Sequence, residues 1–309
     1  MLATGAISGI LQTSLLRLDR LLHAAVERAQ QAYGSASAQD FYRGLYVNAE
    51  EAERLLLRTP GEPVLWMERE EDGDTGLADE FGLSEFDLDV LLLALAPELD
   101  LKYERLFGFL QDDVTRKRPT VNLALDLLCP SAEARLARRC HFNPDAPLLA
   151  GGFVRLVGDS AQSEPPLLAH YLKPEEQVLS YLTGDQSLDR RLDAFCRLVA
   201  PEAQSPELDS EMVEMLIRVA TVAAGQSSPC RVFLEGPRDS EQSKAAGVMA
   251  QACGAPLLIA NLDRAAERHT DWEMLVPALF REARFRRAVL YLESAELLPP
   301  KLFESLVDT

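Results

Sequence analysis

Cys230-Arg231-Val232-Phe233-Leu234-Glu235-Gly236-Pro237-Arg238-Asp239-Ser240-Glu241-Gln242-Ser243-Lys244 has the layout of a phosphate-binding loop and lacks most of its chemistry. Val232 to Leu234 is an apolar run that predicts a buried strand; Gly236-Pro237 breaks it, and the spacing over 243–253 predicts an amphipathic helix. Strand, turn and helix are the setting of the Walker A pattern, G-x-x-x-x-G-K-[ST]. There, glycines let backbone N–H groups approach phosphates, a Lys reaches the terminal phosphates and a hydroxyl holds Mg²⁺. Laid without gaps from Gly236, the pattern puts Glu241 at its second Gly, Gln242 at its Lys and Ser243 at its hydroxyl. Glu241 and Asp239 would face an anionic triphosphate with no cation from Gln242, so binding is expected to be weakened. A two-residue insertion instead brings Lys244 into the Lys role, with Ser243 at the preceding Gly and Ala245 after it. The plain alternative is a loop that only joins strand to helix.

Two further apolar runs extend this reading. Pro256-Leu257-Leu258-Ile259 is one; Ala288-Val289-Leu290-Tyr291-Leu292-Glu293-Ser294 is the other and ends in a carboxylate. The latter resembles a Walker B strand, whose terminal Asp holds the Mg²⁺ shell. Glu293 stands at the Asp position. Ser294 stands where the AAA+ family has a Glu to position the attacking water, and it cannot act as a carboxylate base. The two half-matched motifs together resemble a degenerate AAA+ module. The resemblance implies Gly236, Ser243, Lys244 and Glu293 as candidate ATP-binding residues, with Ser243 and Glu293 as candidate Mg²⁺ ligands and no clear catalytic residue. The sequence ends at Thr309, 16 residues after Glu293, before any sensor strand, arginine finger or helical lid, so a truncated chain is expected.

Composition narrows the class. The 309 residues suffice for two to three domains, and an apolar share of 47% is that of a soluble globular protein. Net charge is −18, with 7 basic and 11 acidic side chains in 1–72, 10 and 18 in 73–184, and 14 and 20 in 185–309. No third is basic, which argues against a nucleic-acid footprint and for protein partners. The five cysteines are odd in number, scattered and without C-x-x-C spacing, so they read as thiols of a cytoplasmic protein rather than a disulfide framework or zinc site. No H-E-x-x-H or G-x-S-x-G occurs, and no apolar run approaches the roughly 18 residues of a membrane span.

Before the loop, the chain is mostly helical. Residues 7–31 carry Ile10, Leu11, Leu15, Leu18, Leu21, Leu22 and Val26 at helical spacing, which fits either a partner-binding helix or one packed on its own domain. A second helical stretch is expected over 49–58, and the Pro, Gly and acidic residues of 59–75 read as a linker. Ser84-Glu85-Phe86-Asp87 is an S-x-x-D capping box opening a helix through Ala96 that is apolar nearly all round, hence central. Helices follow with Leu99, Tyr103, Leu106, Phe107 and Leu110 on one face, over 121–128, and over 131–140. The stretches 148–157 and 167–171 read as two strands around a Gly turn with an acidic tip at 158–166. Short helices followed by a hairpin are the element order of a winged helix.

The wording of this region resembles a known domain. Phe81-Gly82-Leu83-Ser84 through Ala96-Pro97-Glu98-Leu99-Asp100, Tyr103-Glu104-Arg105-Leu106, and Gln111-Asp112-Asp113-Val114-Thr115-Arg116-Lys117-Arg118-Pro119-Thr120-Val121 are similar to the variant winged-helix domain preceding the ATPase modules of bacterial AAA+ proteins. Members of that group accompany extracellular contractile injection systems. The likeness covers about 40–300 and is most specific over 81–121. It implies an N-terminal helical region, a winged helix and an often degenerate first ATPase module followed by an intact one, working in a hexameric ring.

The expected architecture is therefore α+β and α/β multidomain: a helical region and linker over 1–72, a winged-helix-like domain over 73–184, a connecting helix and linker over 185–210, and a partial P-loop α/β domain with a parallel sheet over 211–309. Within it, a short helix is expected over 188–199 and another over 208–224. Arg116, Lys117, Arg118, Arg135, Arg138 and Arg139 flank the candidate recognition helix 121–128. They either touch DNA phosphates or pair with the domain's own carboxylates, and the helix itself offers Asp126 and no Arg or Lys to bases. Arg281, Arg284, Arg286 and Arg287 face either a neighbouring subunit or solvent. The expected function is protein recognition and ring contact in assembling or remodelling a large bacterial complex. The alternatives are an ATP-binding or hydrolysing module using Lys244 and Glu293, and a winged-helix DNA-binding regulator.

Overall fold

Ser84 begins the helical core as the sequence predicts. Its hydroxyl accepts from the Asp87 N–H at 3.2 Å while the Asp87 carboxylate accepts from the Ser84 N–H at 3.1 Å, a complete capping box at the start of α2 (Glu85–Leu99). In the computed structural model the described residues are 4–33, 56–57, 59–66, 82–159, 163–185, 187–201, 208–224, 230–236, 241–268 and 271–308. They divide into two compact units, Met1–Gln186 and Ser187–Thr309.

In the first unit, α1 (Thr4–Tyr33) lays Leu11, Leu18, Leu22, Ala25 and Ala29 against α2 and α3 (Lys102–Leu110). Of the two readings of this helix, the structure shows the one packed on its own domain. Polar ties add direction: Arg17 pairs with Asp89, and Asp19 accepts from Tyr103 Oη and Lys102 Nζ, both at 2.8 Å. The helix α2 is buried nearly all round, including Val90, Leu93, Ala94 and Ala96 at 0% exposure, as its unbroken apolar run requires. Then come α4 (Val121–Leu128), capped by Thr120, and α5 (Ala132–Arg138), capped by Ser131.

The predicted fourth helix is shorter than expected, giving way to a 3₁₀ turn at Arg139–Phe142 and then α6 (Pro147–Ala150). The hairpin differs too: β1 (Val154–Val157) keeps only the end of the first expected strand, whose start is helical in α6, and β2 (Tyr171–Pro174), antiparallel to it, begins where the second was expected to end, Leu167–Ala169 being a 3₁₀ turn. Thr120 bridges Tyr171, with Val121 N–H donating to His170 O at 3.0 Å and Leu172 N–H to Pro119 O at 2.8 Å, a single antiparallel bridge beside the two-stranded hairpin. The helix α7 (Glu176–Leu182) closes the unit.

The linker expected over 59–75 is in part docked. Leu65 is 2% exposed, and Val64 N–H donates to Asp126 Oδ1 at 2.7 Å. An apolar anchor and a charged acceptor outweigh the Pro and Gly residues that suggested an open connector. The rest of that linker, and most of the helix expected over 49–58, lie outside the described residues.

In the second unit, the order β3-β4-β5 builds a mixed sheet from β3 (Cys196–Val199), β4 (Leu257–Asn261) and β5 (Val289–Glu293). β4 and β5 are parallel and β3 is antiparallel to β4; the short helix expected over 188–199 does not form, its residues 190–195 lying in turns and its last four in β3. Pairing with β4 explains that difference, with Cys196 opposite Ala260 and Val199 opposite Leu257, and Cys196 packed into the core. On one face lie α8 (Ser210–Ala224) and α9 (Gln242–Ala252), and on the other α10 (Leu262–Ala266) and α11 (Trp272–Arg286), with α12 (Pro300–Asp308) beyond them. The strand expected at Val232 to Leu234 does not form. Val232 and Phe233 are 42% and 61% exposed, and no ladder of hydrogen bonds holds them.

Candidate functional site

The two sites that the sequence points to fall one in each unit. In the second, α9 ends four residues before β4 begins, through Gly254 at φ +64°, and packs Ala246 and Ala250 against Leu257 and Ile259. It therefore runs back along the strand and carries its first turn, with Ser243 and Lys244, toward the edge where β4 and β5 end in Asn261 and Glu293. Gly236 lies exposed ahead of that turn, and Lys244 is exposed on it.

Residues 237–240 of the candidate phosphate loop, Asp239 among them, lie outside the described residues. Gln242 Nε2 donates to Gly236 O at 3.1 Å and Leu234 O at 3.4 Å, so the amide at the Walker Lys position ties the loop's own carbonyls. Glu293 accepts from Asn261 Nδ2 at 2.8 Å, and Ser294 Oγ donates to Asp263 from a left-handed backbone at φ 60°. Of the four candidate residues Lys244 is the only cation, and the carboxylates Glu241, Asp263 and Glu293 lie at the same elements. Among the described residues no group of His, Cys, Asp and Glu side chains is arranged to hold a metal ion.

A buried charge cluster that the sequence reading missed lies nearby in the same unit. Arg281 and Glu282 are 4% and 0% exposed; Arg281 reaches Asp189 at 3.4 Å, and Arg286 Nε donates to Glu282 at 2.9 Å. These two arginines are thus neither solvated nor aimed at a neighbour, whereas Arg284 and Arg287 are exposed. Burial alone would raise the Asp189 carboxyl, but hydrogen bonds and charge from Arg191, then Arg281, hold it below the usual range. Burial, with Glu282 and Asp189 beside it, pushes the Cys196 thiol up to about 12, which leaves it unreactive.

In the first unit, the helix 121–128 is not placed to read DNA. Val121, Leu123, Ala124, Leu125 and Leu127 are at most 3% exposed, and Asn122 is the exposed residue. Before the hairpin, where a winged helix presents its reading helix, come the seven-residue α5, a 3₁₀ turn and the four-residue α6. Of these, α5 exposes Leu136 at 71%.

Arg135 and Arg138 of α5, and the cations of the loop before α4, are engaged by their own domain, whereas Arg139 shows no ion pair or ring contact among the described residues. Arg135 donates to Asp126 and to Asn122, both at 2.8 Å, and Arg138 lies 4.7 Å over the Phe86 ring. Arg118 meets Glu98 at 2.8 Å, Arg116 meets Asp113 at 3.2 Å and Lys117 meets Glu104 at 3.6 Å. The last three pairs are partly exposed and worth about 0–1 kcal/mol each, so their effect is local neutrality rather than stability. A phosphate approaching any of them also approaches a carboxylate. A groove of about 270 Å³ opens between the 59–62 turn and Asn122, Asp126 and Arg135, and its cation is already bonded to the other two.

The loop that bears Arg116 to Arg118 is held by one side chain that sequence reasoning missed. Gln111 Nε2 donates to the carbonyls of Phe107, Arg116 and Arg118 at 3.2, 3.0 and 3.0 Å, and its Oε1 accepts from Thr120 N–H and Oγ1 at 3.1 and 2.7 Å. A second anchor is His141, whose Nδ1 meets the buried Asp87 at 2.8 Å and whose ring packs 4.8 Å from Phe86. The signal for Gln111 in the sequence is nil; for Asp126 it is a single carboxylate in an apolar octet.

Among the described residues no helix is long and apolar enough to cross a membrane. No curated protein and no solved structure matches the chain. A family model for the winged helix domain, variant, matches residues 75–196, and the chain therefore carries a winged helix domain of the variant type.

Proposed function

We propose that this chain acts by protein recognition, with its winged helix as a docking module rather than a reader of duplex DNA. The observation that supports this is the internal pairing of Arg116, Lys117, Arg118 and Arg135 with Asp113, Glu104, Glu98 and Asp126. Duplex binding draws its affinity from cations that neutralise phosphates, and those cations lack a net positive field here. The wider setting is the N-terminal portion of an AAA+ assembly that builds or remodels a large bacterial complex such as a contractile injection particle, working as a ring. That setting rests on the sequence likeness over 81–121 and on the α/β layering of the second unit. The test is anisotropy of labelled duplex DNA at low and moderate salt: no saturable binding is expected, and micromolar binding that weakens steeply with salt overturns the proposal.

A second reading keeps ATP and Mg²⁺, held by Gly236, Ser243, Lys244 and Glu293. It is favoured by one observation, that the first turn of α9 and the end of β5 are directed to one sheet edge. Calorimetric titration of Mg-ATP and ADP into the folded chain separates the readings. Saturable micromolar binding lost in Lys244→Ala supports the second, and no binding supports a recognition role without nucleotide.

A further inference from the structure

We infer that α8 (Ser210–Ala224) pairs with the same helix of a second copy of this chain, antiparallel about a twofold axis, as a weak dimer contact. The helix is held to its own unit along one narrow face. Its buried residues are Leu216 and Ala220, and Leu216 packs with Ala245 and Val248 of α9. Much of its remaining apolar surface is open: Met212, Met215, Val219 and Val222 are 39%, 50%, 37% and 62% exposed. Among the described residues, none of these four belongs to an apolar cluster of the second unit. A continuous apolar row along one helix marks a docking surface, whereas scattered apolar exposure does not.

Spacing and charge name the occupant. Steps of 3, 4 and 3 residues set the four side chains at the a and d positions of successive heptads, the seam by which one α-helix packs on another. That order reads the same from either end. Reversed about Ile217, Met212 comes level with Val222 of the partner subunit and Met215 with Val219 of the partner subunit, the self-complementarity that an isologous twofold contact requires. Unbranched methionine adapts to the space opposite the shorter valine. Beside the stripe, the N-terminal half of α8 carries Glu211 and Glu214 and the C-terminal half Arg218, all exposed and, among the described residues, without an ion pair. Antiparallel pairing brings the two arginines together near the axis with carboxylates on both sides. Each Arg218 then lies about 3 Å along the axis from Glu214 of the partner subunit, at a rise of about 1.5 Å per residue. Parallel pairing would set carboxylate level with carboxylate and cation level with cation. Four side chains a copy fall short of the roughly 1,200 Å² that stable complexes bury, so the Kd is on the order of 100 μM. The contact stands apart from the recognition reading, which the duplex titration tests separately.

The test is sedimentation velocity of the full chain from about 5 to 500 μM, a range that brackets the expected Kd, with Met215→Glu and Arg218→Glu in parallel and circular dichroism to check folding. The wild-type mass is expected to rise with concentration toward that of two copies. Met215→Glu, which sets a charge in the seam, raises the Kd about tenfold or more, and Arg218→Glu, which leaves only carboxylates on the flank, raises it about threefold or more. A wild type that stays monomeric throughout overturns the inference. So does assembly beyond two copies, or association that Met215→Glu leaves unchanged. Both substitutions replace exposed residues; if Met215→Glu nonetheless fails to fold, Arg218→Glu decides, weakened association supporting the pairing and unchanged association overturning it.

Discussion

Replacing Gln111 by Leu removes a polar knot while keeping much of its volume. The side chain has two amide hydrogens shared among three carbonyls and an oxygen that accepts twice, from Thr120 N–H and Oγ1. At about 1 kcal/mol net for each hydrogen bond the side chain can make at full strength, the loss is about 4 kcal/mol, and Thr120, 1% exposed, would be left with an unmet N–H. The chain has two tryptophans, Trp66 and Trp272, one in each unit, so urea unfolding followed by Trp66 fluorescence in a Trp272→Phe background reports the first unit alone. With a slope of about 2 kcal/mol per molar urea, the midpoint should fall by roughly 2 M. Gln111→Glu, which sets a carboxylate oxygen against the three carbonyls that Nε2 now serves, should lose at least as much. A shift below roughly 0.5 M for Gln111→Leu would refute the assignment of this side chain as the anchor of the 111–120 loop.

Three further outcomes follow from the same structure. Asp126→Ala leaves Val64 N–H and the Arg135 guanidinium without their shared acceptor and should cost about 3 kcal/mol, read by the same Trp66 assay. Asp189, held below its ordinary value of 3.8 in the folded chain, contributes stability that is complete above 3.8 and is lost as pH falls through the lower folded value. Acid unfolding followed by Trp272 fluorescence should therefore steepen below pH 3.8, and Asp189→Asn should flatten that part of the curve. Arg287 caps α11 in a left-handed conformation at φ 49°, so Arg287→Gly should stabilise the second unit by about 0.5–1 kcal/mol, measured by thermal unfolding.

Legibility in the sequence followed the strength of the local signal. The capping box at Ser84 and Asp87, the apolar run of α2, the octet of α4 and the strands ending at Asn261 and Glu293 all carry periodicity or capping chemistry, and they fold as read. The element order of a winged helix was readable too, but not which helix would be exposed. An octet with five apolar residues buried to 3% or less is a core helix, and hydrophobic content alone should have excluded it as a reader. Residues 196–199 are short and follow turns, so their strand depends on β4, more than 50 residues away, which no local pattern reveals. The ties made by Gln111 and Asp126, and that of Arg281 to Asp189, are likewise long-range or carbonyl-directed and leave no spacing to recognise, whereas Glu282 and Arg286 stand at the i,i+4 spacing of a helix pair.

The measurement that tests the recognition account most directly is an anisotropy titration of the folded chain into fluorescein-labelled duplex DNA, repeated from about 50 to 200 mM salt. The account predicts no saturable binding up to about 100 μM at the lowest salt. Micromolar binding that weakens about 40-fold across that range, the loss expected if three cations contact phosphates, would contradict it and show that Arg116, Lys117 and Arg118 leave their carboxylates for DNA.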